Sequence, residues 1–408
     1  MHLGTQQATS WPFIRLYTLA FLFFSANSIL NVIIPLRSEA MGASNTMIGL
    51  IMGTYMLTCM FFRPWAGHYV YKYGPVKVLR VLLIVNGIAL LLYTVTAWEG
   101  FFVARLMQGI CTAFFSMALQ MGIIDSLSEK ERSQGVSLYS LFTYMPSIVG
   151  PLIAFGIWDW GGMNSFTAVV IGIVIITGLF GYSTSIQNVS QEKGEEQHAK
   201  GMSKNIRQMV SHPSFLLCSV VMLAASVVFG SVVVFIPLYA NHIEYGNAGV
   251  YLMIQAAVIV LARFLLRKRV PSDGKWHSLF IIGVLLLAAA ASLLLSFSES
   301  KGALLLYAAA ILMGIAQALL YPTLMTYLTF VLPSSSRNVL IGLFIASADL
   351  GISLGGIAMG PIADQISYSG VYTVCAALVL MTACFVVVYQ KRLTLGEGRS
   401  KWRSEARS

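Results

Sequence analysis

Two ionisable residues stand inside long apolar runs, where a charge is expensive and usually faces a cavity or a partner. Asp349 lies in LFIASADLGISLGG, about twelve residues into its run. Desolvation there disfavours the ionised carboxylate, so Asp349 is a candidate for exchanging protons or for holding a substrate amine, against the plainer reading of an aspartate that satisfies neighbouring backbone. Arg105 lies in FFVARLMQGI, roughly 9 Å in from the near end of its run at about 1.5 Å per residue. Its guanidinium keeps its proton and offers a planar fork of donors, the geometry for a bidentate grip on a carboxylate. A structural bond from Arg105 to the carbonyls of the first apolar run is the alternative. Asn27 and Asn31 are four residues apart and share a helix face, adding uncharged amides. Gln108, Gln255, Gln317 and Tyr321 extend a polar lining, a role that helix-to-helix hydrogen bonding explains about as well.

Other chemistries lack their residues. The five cysteines, Cys59, Cys111, Cys218, Cys375 and Cys384, sit in apolar segments at unpatterned spacings and read as small buried hydrophobes. The six histidines are dispersed near loops without ligand spacing, so no metal site or bare-ion transport is expected. An enzyme would need a nucleophile with its base, or a metal, and neither constellation appears. Nucleotide-driven chemistry would need a GxxxxGK[ST] loop, which the chain lacks. No cofactor is implied.

The elements that hold these residues are set by composition. Of 408 residues 57% are hydrophobic and 10% charged, and the mean hydropathy is +0.76. A soluble domain carries about a quarter charged residues, so this chain has too few for a water-facing surface. The apolar runs are about 20 residues long, enough for a helix to cross a hydrocarbon core about 30 Å thick. Helices satisfy their own backbone in lipid, whereas a barrel would show short alternating segments. Twelve spans are predicted, at 12–36, 45–66, 77–97, 100–124, 135–158, 164–186, 214–240, 247–266, 277–298, 302–331, 337–360 and 368–390. The fold class is therefore an all-α membrane protein.

The net charge of +10 does not point to nucleic acid, because its distribution follows the spans. Only Arg37 and Lys301 fall in loops on one side, and Arg105 falls inside a span. The other basic residues gather on the opposite side, which the positive-inside rule makes cytoplasmic, with both termini. The basic tail from Lys391 to Arg407 also suits anionic lipid head groups. Residues 1–11 lack a basic start and a cleavage site, so the first span is expected to be retained.

The chain also repeats itself. VIIPL ending at Leu36 returns as VFIPL ending at Leu238, and Pro64 with Gly67 is matched by Pro271 with Gly274. Gly109, Arg132 and Gly150 recur 205 residues later as Gly314, Arg337 and Gly355. The division expected is a six-helix bundle over 1–186, a polar cytoplasmic linker over 187–213, a second bundle over 214–390 and a basic tail over 391–408. Two related bundles that rock about a central site are a device of transporters. The offset makes Tyr144 the counterpart of Asp349, and the two are expected to face each other across that site. A receptor has less use for duplication and would carry a signalling domain.

Several motifs resemble those of the major facilitator superfamily over essentially the whole chain. Arg105, Gln108 and Gly109 match its fourth-span pattern, and ERSQG at Glu131 to Gly135 followed by Gly150 and Pro151 matches its fifth. Pro322, Arg337, Asp349, Gly351 and Gly355 supply the counterparts in the second half. GHYVYKYG, from Gly67 to Gly74, is similar to the loop that latches the bundles, with Lys72 and then Lys77, although Tyr71 stands where the family usually has aspartate. The resemblance makes Asp125 the expected partner of Lys72 or Lys77 in that latch. Pro146, Gly150 and Pro151 resemble the fifth-span motif of exporters, and physically they bend the helix and admit a close neighbour.

The segments SANSILNVIIPLR, GTYMLTCMFFRPWAG and RLMQGICTAFFSMALQMGIID are similar to bacterial exporters of staphylopine-type opine metallophores. That resemblance implies export of a small zwitterionic chelator with several carboxylates by alternating access, driven by protons, from a monomer in the cytoplasmic membrane. Proton-coupled multidrug efflux is the alternative. Exporters of that kind commonly place a carboxylate in the first span, where this chain has Asn27 and Asn31.

Overall fold

The computed structural model describes residues 7–183, 213–266, 269–271, 273–332 and 337–405, without the side chains of Asp125, Glu129, Lys130, Ser133, Asn338 and 390–405. Helices follow one another as α1 (Trp11–Ala40), α2 (Asn45–Tyr73), α3 (Pro75–Val95), α4 (Trp98–Ser126) and α5 (Glu129–Tyr182), then α6 (Pro213–Tyr239), α7 (Ala248–Leu265), α8 (Ser278–Lys301), α9 (Ala303–Val331), α10 (Arg337–Ile357), α11 (Gly360–Gln365) and α12 (Tyr368–Glu405). Among the described residues eleven segments are long and apolar enough to cross a membrane. One of them, Gln134–Tyr182, has 49 residues, about twice what one crossing needs. It is broken at Gly162, whose φ of 51° and ψ of −127° leave the helical region, beside a Trp160 that is 92% exposed. Two crossings meet there, which brings the number of crossings to twelve. The expected linker over 187–213 lies outside the described residues except for Pro213.

Proline and glycine place the ends. Pro75 and Pro213 open their helices, where a missing N–H costs nothing. Gly74, at φ 82°, turns the chain between α2 and α3 in a conformation that a side chain would resist. Helix α2 runs to Tyr73, seven residues past its predicted end, and α4 starts two residues earlier than predicted. The eleventh span divides at Ala358 and Met359 into α10 and the short α11.

The repeated residues do the same job in both halves. A Cβ at Gly109 would run into the Tyr55 carbonyl and Thr58 of α2, and one at Gly314 would run into the Gln255 carbonyl and Val258 of α7. Gly150 is pressed against Ser28 of α1, and Gly355 against Val227 and Ser231 of α6. Arg132 Nε donates to the Leu127 carbonyl at 3.2 Å, and Arg337 Nη2 donates to that of Leu332 at 3.4 Å. Small residues let helices approach in lipid, where packing rather than water drives association.

The core shows how the halves meet. Apolar residues of α1 and α2 toward Asn45, including Ile29, Val32, Ile33 and Ile48, belong to one cluster with Phe235, Leu285 and Leu320 of the second half. Toward Gly74 the first half has a cluster of its own, with Phe13, Val70, Leu79, Phe115 and Ile123. The halves are thus packed together at the Asn45 end and keep a separate core at the Gly74 end.

The closed end is a seam of α2 against α10 and α11. Gly49 abuts the backbone of Gly356, and Gly53 that of Ser353, whose hydroxyl donates to the Gly53 carbonyl at 2.9 Å. Asp364 of α11 accepts from the Asn45 and Thr46 amides at 2.8 and 2.9 Å, which adds to the Ser44 cap on the Met47 amide at the start of α2. Tyr368 donates to the Asn45 side chain at 2.8 Å.

Candidate functional site

Where the seam loosens, α2 presents Tyr55, Cys59 and Arg63, spaced four apart and therefore on one stripe. Arg63 Nε reaches across to Asp349 Oδ2 of α10 at 2.8 Å, joining the halves by an ion pair. The Asp349 side chain is 9% exposed and that of Arg63 36%, so the carboxylate is buried and its partner is partly open. Asp349 is held from behind, because Gly351 lies against the Leu223 carbonyl and Ser226 of α6 with no room for a Cβ. Tyr144 is not the contact that Asp349 makes. Its hydroxyl instead accepts from Arg263 Nη2 of α7 at 3.0 Å, with the guanidinium 4.5 Å from the ring centre. Tyr321 lies near both pairs and is stacked on Phe344 at 5.9 Å.

Arg105 is completely buried. Its Nη2 donates to Asn31 Oδ1 at 3.0 Å and meets Met52 Sδ at 3.2 Å, and its guanidinium lies 5.3 Å from the Tyr55 ring centre. Nε and Nη1 have no hydrogen-bond partner. Among the described residues no carboxylate stands within ion-pair distance of it. A buried guanidinium with two idle donors is costly unless an anion joins it. The bond to helix α1 goes to the Asn31 side chain, not to the backbone carbonyls considered from the sequence.

Not every predicted polar residue faces open space. Asn27 Nδ2 donates to the Tyr55 hydroxyl at 2.5 Å, which donates to Thr112 at 3.0 Å. Gln108 is buried and accepts from Tyr93 at 2.6 Å. Both make helix-to-helix bonds within the first half, and Asn27 Oδ1 is left buried without a partner. Asn31, Tyr144, Gln255 and Gln317 do line a cavity of about 150 Å³, together with Ser28, Ser147 and Pro151. Gln255 donates to Gln317 at 3.1 Å on its wall. Ser28 donates to the Pro146 carbonyl at 2.8 Å, so Pro146 and Gly150 of α5 are where α1 comes close.

At the Gly74 end, Lys72 lies 5.2 Å from the ring centre of Tyr73 and Lys77 is exposed. Gly67 has open space, a methyl of Met117 at 3.9 Å being its near neighbour. The Asp125 carboxylate expected to pair with these lysines lies outside the described residues.

Arg63 and Arg263 were missed as site residues because each sits near the end of a predicted span, where basic residues ordinarily snorkel to the cytoplasmic face. The extension of α2 to Tyr73 is what places Arg63 inside the bundle, ten residues from the helix end.

A model of the Major Facilitator Superfamily matches residues 16–272 and 274–406. The chain belongs to that superfamily. It is 51% identical over 378 residues to the staphylopine export protein of Staphylococcus aureus strain Mu50, which covers 92% of this chain and 95% of that one. It is 21% identical to multidrug resistance protein 2 of Bacillus subtilis over 239 residues, 56% of this chain and 58% of the other. Among solved structures, a bacterial homologue of the human lysosomal transporter Spinster, in an inward-facing and occupied conformation, superposes with a TM-score of 0.75. That match covers 95% of this chain and 98% of the other at 13% identity, a likeness of fold. The chain is therefore a multi-pass transporter with the superfamily fold, and each half supplies one partner of the Arg63–Asp349 pair.

Proposed function

We propose that this transporter exports a small zwitterionic solute with several carboxylates, an opine-type metallophore such as staphylopine, in exchange for protons. The observation that carries the reading is the Arg63–Asp349 pair beside a buried Arg105 with two idle donors. A simple cation would take Asp349 and leave Arg63 without its partner, and a simple anion would strand the buried Asp349 carboxylate, the costlier of the two. A zwitterion satisfies both, its ammonium on Asp349 and a carboxylate on Arg63, while Arg105 takes a second carboxylate by two N–H donors. The 51% identity to the staphylopine export protein supports the same cargo. The 21% match to a multidrug protein spans little more than half the chain and adds no comparable support for broad cation efflux.

In this reading Asp349 takes up a proton on the outer side, gives it up on the inner side, and then holds the substrate amine. Proton and substrate exclude one another at one carboxylate, which is the requirement for exchange. The Asn45 end faces outward, the Gly74 end and both termini face the cytoplasm, and the structure corresponds to the state open to the inside. The division at 186 and 213, the single-subunit state, the absence of catalysis and the place in the cytoplasmic membrane complete the proposal.

The test is Asp349→Asn in inverted membrane vesicles. Acidifying the lumen is expected to drive staphylopine uptake by the parent protein and none by the variant at equal abundance. Undiminished proton-driven uptake by Asp349→Asn would refute the assignment.

A further inference from the structure

The cavity does not end at Tyr144. A groove of about 260 Å³ begins at the same side chain and is walled by Ser137 and Ser140 of α5 and by Val260, Arg263 and Phe264 of α7. Residues 137, 140 and 144 continue the stripe of α5 that lines the cavity at 147 and 151, each step being three or four residues. Residue 263 likewise continues the stripe of α7 that lines it at 252, 255 and 259. The groove is thus the cavity's own seam carried on toward the Gly74 end. Arg263 stands two residues before the end of α7, at the mouth.

Arg263 has a phenol and no acid. Its Nη2 donates to Tyr144 and its face lies on that ring, while its Nε is buried without a partner. Among the described residues no carboxylate comes within ion-pair distance of it. The stacked ring fixes the plane of the guanidinium, and the serine hydroxyls supply further donors in the same groove. The chemistry suited to such a place is a carboxylate: a charge-assisted bond from the guanidinium, one hydroxyl bond, and apolar walls for the carbon skeleton.

We infer that the groove is a second carboxylate site, at which Arg263 captures the solute at the inner mouth before it reaches Arg63 and Arg105. This rests on the proposed function and deepens it. A solute with several carboxylates meets a cation at each stage of the path, first Arg263, then Arg63, then Arg105, whereas Asp349 is met once. A cationic drug would meet repulsion at the mouth, so the groove also sets specificity.

The experiment compares Arg263→Gln, Arg263→Lys and the parent protein in inverted proteoliposomes, with staphylopine and with an opine analogue whose extra carboxylates are amidated. Each is run in neutral phosphatidylcholine and with phosphatidylglycerol added. The expected result is a KM for staphylopine raised about tenfold in Arg263→Gln, the factor that 1.4 kcal/mol corresponds to. Arg263→Lys should recover part of it, and the amidated analogue should show little change. The loss should be as large in neutral lipid as in anionic lipid. An unchanged KM in Arg263→Gln, alongside working transport by the parent, overturns the mouth site and leaves the proposed function standing. A loss that appears only with phosphatidylglycerol, or equally for both solutes, assigns Arg263 to a lipid phosphate or to structure and also overturns it. Failure of the parent protein to take up staphylopine in any lipid overturns both readings.

Discussion

Arg63 and Asp349 stand or fall as a pair, and the consequences of breaking them differ by side. Removing the guanidinium leaves a carboxylate that is 9% exposed, whereas removing the carboxylate leaves a guanidinium that is 36% exposed and can find water. Arg63→Gln is therefore expected to destabilise the protein by about 2 kcal/mol, below the 3–5 typical of fully buried pairs because one partner is partly solvated. Asp349→Asn should cost less, and the double variant less than the sum of the two, since no charge is left unpaired. Thermal unfolding of the detergent-purified protein would check the order. Equal and additive losses would mean that the 2.8 Å approach carries no energetic coupling. Transport should be lost in all three, because each removes at least one of the two charges that recognise a zwitterion. This pairing could not be read from the chain. Asp349 and Arg105 were legible, as ionisable residues deep in apolar runs, but their partners depend on which helices touch. Repeat symmetry relates Asp349 to Tyr144 as positions facing one site, and it does not name the side chain that each of them bonds.

Helices in this molecule are positioned by what glycine permits. The seam of α2 on α10 exists because Gly49 meets Gly356 and Gly53 meets Ser353 backbone to backbone. Such contacts are made anew each time the closed end forms. Gly356→Val puts two methyl groups where the Gly49 carbonyl must lie, a clash with backbone that no rotamer relieves. That variant is expected to abolish export while leaving the protein in the membrane, and to raise the labelling of a cysteine placed at Ser353 by an impermeant maleimide added outside. Unchanged labelling would show that the seam does not open. The glycines at 109, 150, 314 and 355 are legible as a repeat with a fixed offset, and the structure explains why: each is a close contact between the corresponding helices of one half, with no room for a Cβ. Gly49 and Gly356 lie outside that repeat because they join the halves to each other. The loop before α8 holds a different kind of pair, Asp273 with His277 at 2.8 Å. The imidazole bond keeps the Asp273 carboxyl below the usual carboxylate range, with the neighbouring Lys275 amide assisting. A depressed carboxyl adds stability above its unfolded pKa of about 4, and that contribution disappears as pH falls through the lower folded value. Asp273→Asn is thus expected to leave the pH profile of transport near neutrality unchanged, and a shifted profile would move the proton site from Asp349 to this loop.

For the molecule as a whole, the two cores decide what motion is open to it. One apolar cluster crosses between the halves toward Asn45, and a separate one closes the first half toward Gly74. To expose the cavity on the opposite side, the first cluster must part and the caps from Asp364 to Asn45 and Thr46 must break together. Those caps are exposed, so each is worth on the order of 1 kcal/mol, small enough to be undone in a turnover and large enough to bias the resting state. Asp364→Ala removes them while leaving the seam glycines intact. It is expected to shift the population toward the state open at the Asn45 end, with an increased external labelling of a cysteine at Ser353 and a reduced turnover rather than an abolished one. A cysteine at Thr46 joined to one at Asp364 by a cleavable bismaleimide should do the opposite: no export while the bridge is intact, recovery once it is cut. Export that continues through an intact bridge would mean that the halves pass solute without parting there, and the rocking of the two bundles about the Arg63–Asp349 pair would have to be abandoned.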